Sequence, residues 1–175
     1  MLAPTIETER LVLRAHTLAD LDDCVAMWAD PAVVQQIGGG RPSTAEETWA
    51  RLLRNVGLWP MVGFGYWVIR ERGTDRFVGE AGLADFRRDI TPSLAGAPEA
   101  GWALATWAQG RGLGTEAVRA VVAWADAHLD APRSVCMITP ANAASIRVAE
   151  KCGYREFART TYKETDVTLY ERPRS

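Results

Sequence analysis

The segment Trp107-Ala108-Gln109-Gly110-Arg111-Gly112-Leu113-Gly114-Thr115-Glu116-Ala117 sets three glycines at alternate positions. It lies between a strand-like run, Ala100 to Ala105, and a strongly helical one, Thr115 to Leu129. Glycine accepts positive φ and lets a backbone come close to a ligand, so such a turn aims several N–H groups at one point. The helix start that follows adds unpaired N–H donors and the positive end of its dipole. Together these make a site for a phosphate or pyrophosphate. An isolated glycine-rich turn has a plainer reading as a turn and nothing more. The flanking sequence has to choose between the two.

Downstream, Val118, Val121, Val122, Ala125 and Leu129 recur at helical spacing, and Pro132 marks the helix end. Ser134 to Thr139 is a continuous apolar run, as expected of a strand buried on both faces. Asn142 is a natural cap for another helix that runs to about Cys152 and stops at Gly153. Phe157 to Tyr162 and Val167 to Tyr170 read as two strands around a polar turn, Lys163 to Asp166.

Upstream, Arg10 to Arg14 reads as the opening strand. A helix capped by Thr17 with Asp20 carries Leu18, Leu21, Val25 and Trp28 as its apolar stripe and ends at Asp30-Pro31. After a Gly38-Gly39-Gly40 break, Ser43 and Glu46 form a capping box for a helix whose stripe is Trp49, Leu52, Leu53 and Val56. From Gly63 the period changes. Tyr66 to Arg70 and Phe77 to Leu83 pair as a hairpin, and the loop from Asp85 to Pro98 is longer than a structural turn needs. The order predicts one α+β domain over residues 1–175, with a mixed central sheet of about seven strands and about four helices.

Bulk properties narrow the class. With 47% hydrophobic and 24% charged residues the chain is an ordinary globular one. It lacks any apolar run of membrane-spanning length and a basic-then-apolar leader, which predicts a cytoplasmic protein without a membrane partner. The net charge is −2 and its Lys and Arg are dispersed, which argues against a nucleic-acid partner. Cys24, Cys136 and Cys152 are scattered, with only His16 and His128 beside them, so reduced thiols and no metal site are expected.

Two motifs now stand in order: Gln109-Gly110-Arg111-Gly112-Leu113-Gly114, then Asn142-Ala143-Ala144-Ser145 leading to Glu150-Lys151-Cys152-Gly153-Tyr154. Together with Thr8 to Arg14 and Glu99-Ala100-Gly101-Trp102, they resemble the GNAT superfamily of acetyl-CoA-dependent N-acetyltransferases. Within it the chain is most similar to the ribosomal-protein N-terminal (Rim-type) branch. The resemblance runs from about Glu7 to Tyr170. It implies a GNAT-like sheet splayed between the fourth and fifth of the predicted strands, with the coenzyme arm beside Trp102, Ala103 and Leu104. It also implies the pyrophosphate on the N–H groups of Gln109, Gly110, Arg111, Gly112, Leu113, Gly114 and Thr115. Asn142 and Ser145 then stand near the thioester end. Homodimers occur in such families, so a homodimer is an expectation by analogy.

For the chemistry the resemblance implies direct attack of a neutral amine on the thioester, since no cysteine has a neighbouring histidine. Glu99, at the start of the strand beside the thioester, is the carboxylate best placed as general base, with Glu80 and Asp85 behind it. Many superfamily members carry a tyrosine in the last helix as general acid. Here that position is Ala149, which leaves Ser145 or a water. The expected function is acetyl transfer to a primary amine, on a protein N-terminus or a small molecule. Two other classes stand against it. One is a coenzyme-A-binding module of the same fold without turnover. The other is a dinucleotide-binding oxidoreductase, disfavoured because Thr115 occupies the third glycine position of its fingerprint.

Overall fold

The computed structural model describes residues 2–37 and 39–174, so Gly38 of the predicted glycine break lies outside them. The strands are β1 (Ile6–Glu7), β2 (Leu11–Arg14), β3 (Tyr66–Glu71), β4 (Phe77–Ala84), β5 (Glu99–Leu104), β6 (Arg133–Ile138), β7 (Arg155–Tyr162) and β8 (Thr165–Pro173). The helices are α1 (Leu21–Ala29), α2 (Pro31–Val34), α3 (Ala45–Val62), α4 (Leu113–His128) and α5 (Ala143–Lys151). Among the described residues the eight strands form one mixed sheet in the order β1-β2-β3-β4-β5-β6-β8-β7. The fold class is the α+β one expected from sequence. The two elements beyond the prediction are β1, two residues long, and α2, a single turn, and neither is long enough to leave a periodicity.

Every neighbouring pair is antiparallel except β5 with β6. Parallel neighbours need a crossover, and α4 supplies it. The β5–β6 ladder consists of one pair, Glu99 with Val135. By contrast β6 pairs with β8 at six positions, from Arg133–Pro173 to Ile138–Thr168. Beyond Glu99 the two parallel strands part, which is the predicted splay.

One sheet face packs on α4 through Val118, Val121, Val122 and Ala125. Trp59, Trp67 and Trp124 meet edge to face there, with ring centroids 4.7–5.3 Å apart. The opposite face, with Val68, Phe77 and Ala103, is covered by Cys24, Met27 and Trp28 of α1 and Val33 and Val34 of α2.

Four local predictions are corrected. Leu18 lies in a 3-10 turn ahead of α1 and is 72% exposed; the buried stripe of α1 is Cys24, Met27 and Trp28. The capping box of α3 is Thr44 with Glu47, not Ser43 with Glu46. Its buried face is Thr48, Leu52, Asn55 and Trp59, while Trp49, Leu53 and Val56 point outward. Asn55 turns inward because its Nδ2 donates to Glu80 Oε1 at 3.1 Å, a charge-assisted bond that offsets part of the cost of burying the amide. The helix after the glycine loop starts at Leu113, two residues before the predicted Thr115.

Candidate active site

The splay leaves one edge of β5 open. Ala105 N–H donates to Val78 O on β4. Strand alternation therefore turns the main-chain groups of Trp102 and Leu104 toward the gap before β6. The side chain of Gln109 closes part of this edge, its Nε2 donating to Leu104 O at 3.0 Å. The loop is thereby pinned to the end of β5. Trp102 and Leu104 thus turn their main-chain groups to the opening, while the main chain of Ala103, between them, pairs with β4.

In the loop, Gly110 (φ 73°) and Gly112 (φ 78°) are left-handed, and Gly112 is the N-cap of α4. The first-turn N–H groups of a sixteen-residue helix therefore open onto the loop. Leu113 is buried in the core, so only its main chain faces a ligand. Gly114 sits within α4; a Cβ there would touch Leu104 Cδ1 at 3.5 Å, an ordinary contact that fixes how closely α4 lies on β5. Thr115 is half-buried one residue further on. Arg111 is exposed, with its guanidinium 3.7 Å from Glu71 and over the Trp107 ring. This arrangement fits a pyrophosphate bound by backbone N–H groups without a metal.

On the α1–α3 side of the gap lies a cavity of about 420 Å³. Its walls include Glu80, Glu99, Tyr66, Asn142 and Ser145, together with Phe86 and Arg88 from the long loop. Glu99 is buried, and Arg88 holds both of its oxygens: Nε to Oε2 at 2.6 Å and Nη2 to Oε1 at 2.8 Å. Glu80 is more deeply set. Its carboxylate accepts from His16 Nε2 (2.6 Å), Trp28 Nε1 (2.6 Å) and Asn55 Nδ2 (3.1 Å). Burial alone pushes the Glu80 carboxyl up, but the hydrogen bond and charge of His16, the Trp28 donor and Arg51 outweigh it and the net shift is down. Asp85 does not border the cavity; it is half-buried beside the exposed Arg87.

Asn142 caps α5, accepting from Ser145 N–H at 3.0 Å, and its Nδ2 donates to Gln36 O at 3.4 Å. Thr139 Oγ1 reaches the same carbonyl at 3.0 Å, so the segment after α2 is tied to the β6–α5 turn. Ala149 is fully buried on the inner side of α5. Among the tryptophans of the N-terminal helices, Trp28 borders the cavity, Trp59 belongs to the opposite core and Trp49 is partly exposed.

Tyr66, which the sequence marks only as the start of a hairpin strand, is the main addition. It pairs with Gly82 on β4, which pairs in turn with Gly101 on β5. A Cβ at Gly82 would lie 2.7 Å from Tyr66 Cγ, and one at Gly101 would lie 2.2 Å from Tyr66 Oη. The ring therefore lies across two strands and carries its hydroxyl to β5, beside the splay. Burial, followed by the negative charge of Glu99, pushes that hydroxyl up, so it stays protonated. Two glycines in register are the signal, and only strand pairing exposes it.

All three cysteines are buried and free. Burial pushes each thiol up, Cys152 to about 11, which removes the thiolate that a covalent route would need. His16, Cys24 and Glu80 bring ligand atoms within 4.8 Å of one another despite their wide spacing in sequence. The Glu80 oxygens already accept three hydrogen bonds, so the cluster reads as a buried polar network.

The acetyltransferase (GNAT) domain family model matches residues 10–155. The chain belongs to the GNAT acetyltransferases. Among solved structures, this GNAT enzyme is similar to a Bordetella pertussis protein assigned to the GnaT-family acetyltransferases. That pair shares 32% identity with a TM-score of 0.84, covering 97% of this chain and 99% of that one. Bacillus subtilis YkkB is 26% identical over 169 residues, 94% of this chain and 93% of its own length. RimL, the ribosomal L7/L12 α-N-protein acetyltransferase solved with coenzyme A, shares the fold at 21% identity and TM-score 0.79, covering 97% and 98% of the two chains. AAC(6')-Ib, solved with ribostamycin and coenzyme A, does so at 19% and 0.76, covering 95% and 94%. No helix among the described residues is long and apolar enough to cross a membrane.

Proposed function

We propose that this GNAT acetyltransferase moves the acetyl group of acetyl-CoA to a primary amine by direct attack. The amine belongs to a protein N-terminus or a small molecule. The observation that carries this reading is the open β5 edge at Trp102 and Leu104, flanked at one end by the Gly110–Gly112 loop and facing the cavity of Glu99 and Tyr66. RimL and AAC(6')-Ib, both solved with coenzyme A, support the donor. Acetyl-CoA supplies the activated acyl group; the protein's share is to hold, polarise and move protons.

Backbone N–H groups of Gly110 to Thr115 bind the pyrophosphate, while the Gln109 N–H, given as a donor by the sequence, is spent on Thr106 O at 3.3 Å; the β5 edge pairs with the peptide-like arm as an added strand would. Asn142 and Ser145, at the start of α5, border the thioester end. The amine nitrogen bonds to the carbonyl carbon as the carbon–sulfur bond breaks. Glu99 receives the amine proton through a water on the lone pairs that Arg88 leaves free. The departing thiolate takes a proton from a cavity hydroxyl. Tyr66, whose hydroxyl reaches β5 beside the splay, is placed to donate it and stands in for the side chain missing at Ala149. The raised thiols support direct attack over a cysteinyl intermediate.

Incubation with acetyl-CoA and a panel of amines, following free thiol release, tests the reading. Amine-dependent release is expected. Tight coenzyme binding with no release on any amine would favour the binding-module alternative, and loss of coenzyme binding would overturn both.

A further inference from the structure

The cavity is cationic in a protein whose net charge is −2. Four cationic side chains border it, Arg51, Arg54, Arg88 and Lys163, against two carboxylates, Glu80 and Glu99. Both carboxylates are already engaged. Glu99 is held by Arg88, and the oxygens of Glu80 accept from His16, Trp28 and Asn55. Among the described residues neither Arg51 nor Arg54 forms an ion pair with a carboxylate of the wall, although the charge of Glu80 is felt at Arg51.

Those two arginines lie three residues apart on α3, so they share one helix face. Arg51 stacks over Trp28 with its guanidinium carbon 3.9 Å from the ring centroid, and its buried Nε has no hydrogen-bond partner among the described residues. Arg54 is exposed and lies over Phe86, 5.2 Å from that centroid. Burial, then the like charge of Arg54, pushes the Arg51 pKa down, as for a cation awaiting an anion. The glycine loop does not border this cavity, so the coenzyme phosphates do not account for the pair. The pantetheine arm and acetyl group are uncharged.

We infer that the acceptor carries a carboxylate close to its amine, and that Arg51 and Arg54 bind it. This rests on the acetyltransferase reading above and names the substrate class of the same site. A planar carboxylate matches the guanidinium fork and satisfies the buried Nε side of Arg51. A polycationic aminoglycoside meets two like-charged arginines instead. Arg88 and Glu99 stay out of this role because they neutralise each other.

The test compares acceptors that differ only in the acid. Amidated Ser-Glu-Gly-Gly is set against Ser-Gln-Gly-Gly, glutamate α-amide against glutamine α-amide, and ribostamycin serves as the cationic control. Thiol release gives kcat/KM, and calorimetry on the coenzyme-A-loaded protein gives binding. The carboxylate-bearing member of each pair is expected to be preferred about tenfold or more. The peptide and amino-amide arms separate a protein end from a small molecule. Arg54→Glu, at an exposed position, should abolish or reverse the preference, and Arg51→Met, which keeps the stem over Trp28, should weaken it. Coenzyme affinity should stay unchanged in both variants. Equal rates within each pair, preference for ribostamycin, or a preference unaltered in the Arg51→Met/Arg54→Glu double variant would overturn the inference while leaving acetyl transfer intact. Selective binding of the acidic members without thiol release would uphold the carboxylate site and overturn turnover.

Discussion

A methyl group added at Gly101 separates stability from chemistry. An ideal Cβ at that residue stands 2.2 Å from Tyr66 Oη, 3.3 Å from Cζ and 3.8 Å from Cε1. Ordinary non-bonded contacts lie near 3.5 Å, so in Gly101→Ala the hydroxyl must retreat by about 1 Å. Overpacking of this kind costs about 1–3 kcal/mol, offset by about 0.5–1 kcal/mol from replacing glycine inside a strand. A net loss of about 1–2 kcal/mol corresponds to roughly 3–6 °C in Tm for a chain of this length. In Tyr66→Phe the atom at 2.2 Å is gone and the ring carbon at 3.3 Å remains. In that background Gly101→Ala should be neutral or slightly stabilising. For the chemistry, Tyr66→Phe should lower kcat about 10- to 100-fold at unchanged coenzyme Kd, the low end of general-acid effects because a thiolate leaves readily. The double variant should be no slower than Tyr66→Phe alone. Thermal melts and steady-state thiol release on the four proteins complete the cycle. Equal Tm loss from Gly101→Ala in both backgrounds would refute the contact, and wild-type kcat in Tyr66→Phe would refute the proton donor.

Gly79→Ala should be far worse tolerated, because its Cβ would lie 2.2 Å from Ala103 O and 2.8 Å from Leu104 Cα, both main-chain atoms of β5. A loss of about 3 kcal/mol or more is expected, with weakened coenzyme binding by calorimetry; wild-type behaviour in both would contradict the β4–β5 register. Asp20 is fully buried between Arg14 and Arg70; burial pushes its carboxyl up, but the two arginines and Thr17 bring it well below the usual range. Its folded pKa lies below the unfolded value of about 3.9, so its stabilisation is complete above about pH 5 and drains as pH falls toward the folded value. Asp20→Asn should cost about 3–5 kcal/mol at pH 7 and flatten the acid limb of a denaturation-versus-pH curve. Cys136→Ala should retain kcat, and brief iodoacetamide treatment of the folded wild type should leave it active, because burial raises every thiol. A pre-steady-state burst lost in Cys136→Ala would point to a covalent route instead.

The parts of the fold legible in sequence are those with a long period or a stiff punctuation mark. The valines of α4, the apolar run of β6, the Asn142 cap and the glycine loop all read correctly because local chemistry and tertiary packing agree there. In α3 they disagree. A hydrophobic stripe through Trp49 and Leu53 lost to one through Asn55, because Glu80 in the sheet supplies a charged partner that offsets part of the cost of burying the amide. Glu99 was placed at the cavity by its position before Trp102, but its partner Arg88 comes from a loop eleven residues earlier, with no regular spacing to announce it. Tyr66 was missed for a similar reason: its role depends on Gly82 and Gly101 being cross-strand neighbours, a matter of register. Arg51 and Arg54 look in sequence like ordinary helix-surface charges. Only the pairing of Glu80 and Glu99 with other donors sets them apart.

Backbone hydrogen exchange with and without coenzyme A tests the central assignment most directly. The account predicts new protection concentrated at the amides of Gly110 to Thr115 and at Trp102 and Leu104, with the far part of the edge strand β7, from Arg155 to Arg159, unchanged. Protection confined to other segments, or none at saturating coenzyme, would contradict it.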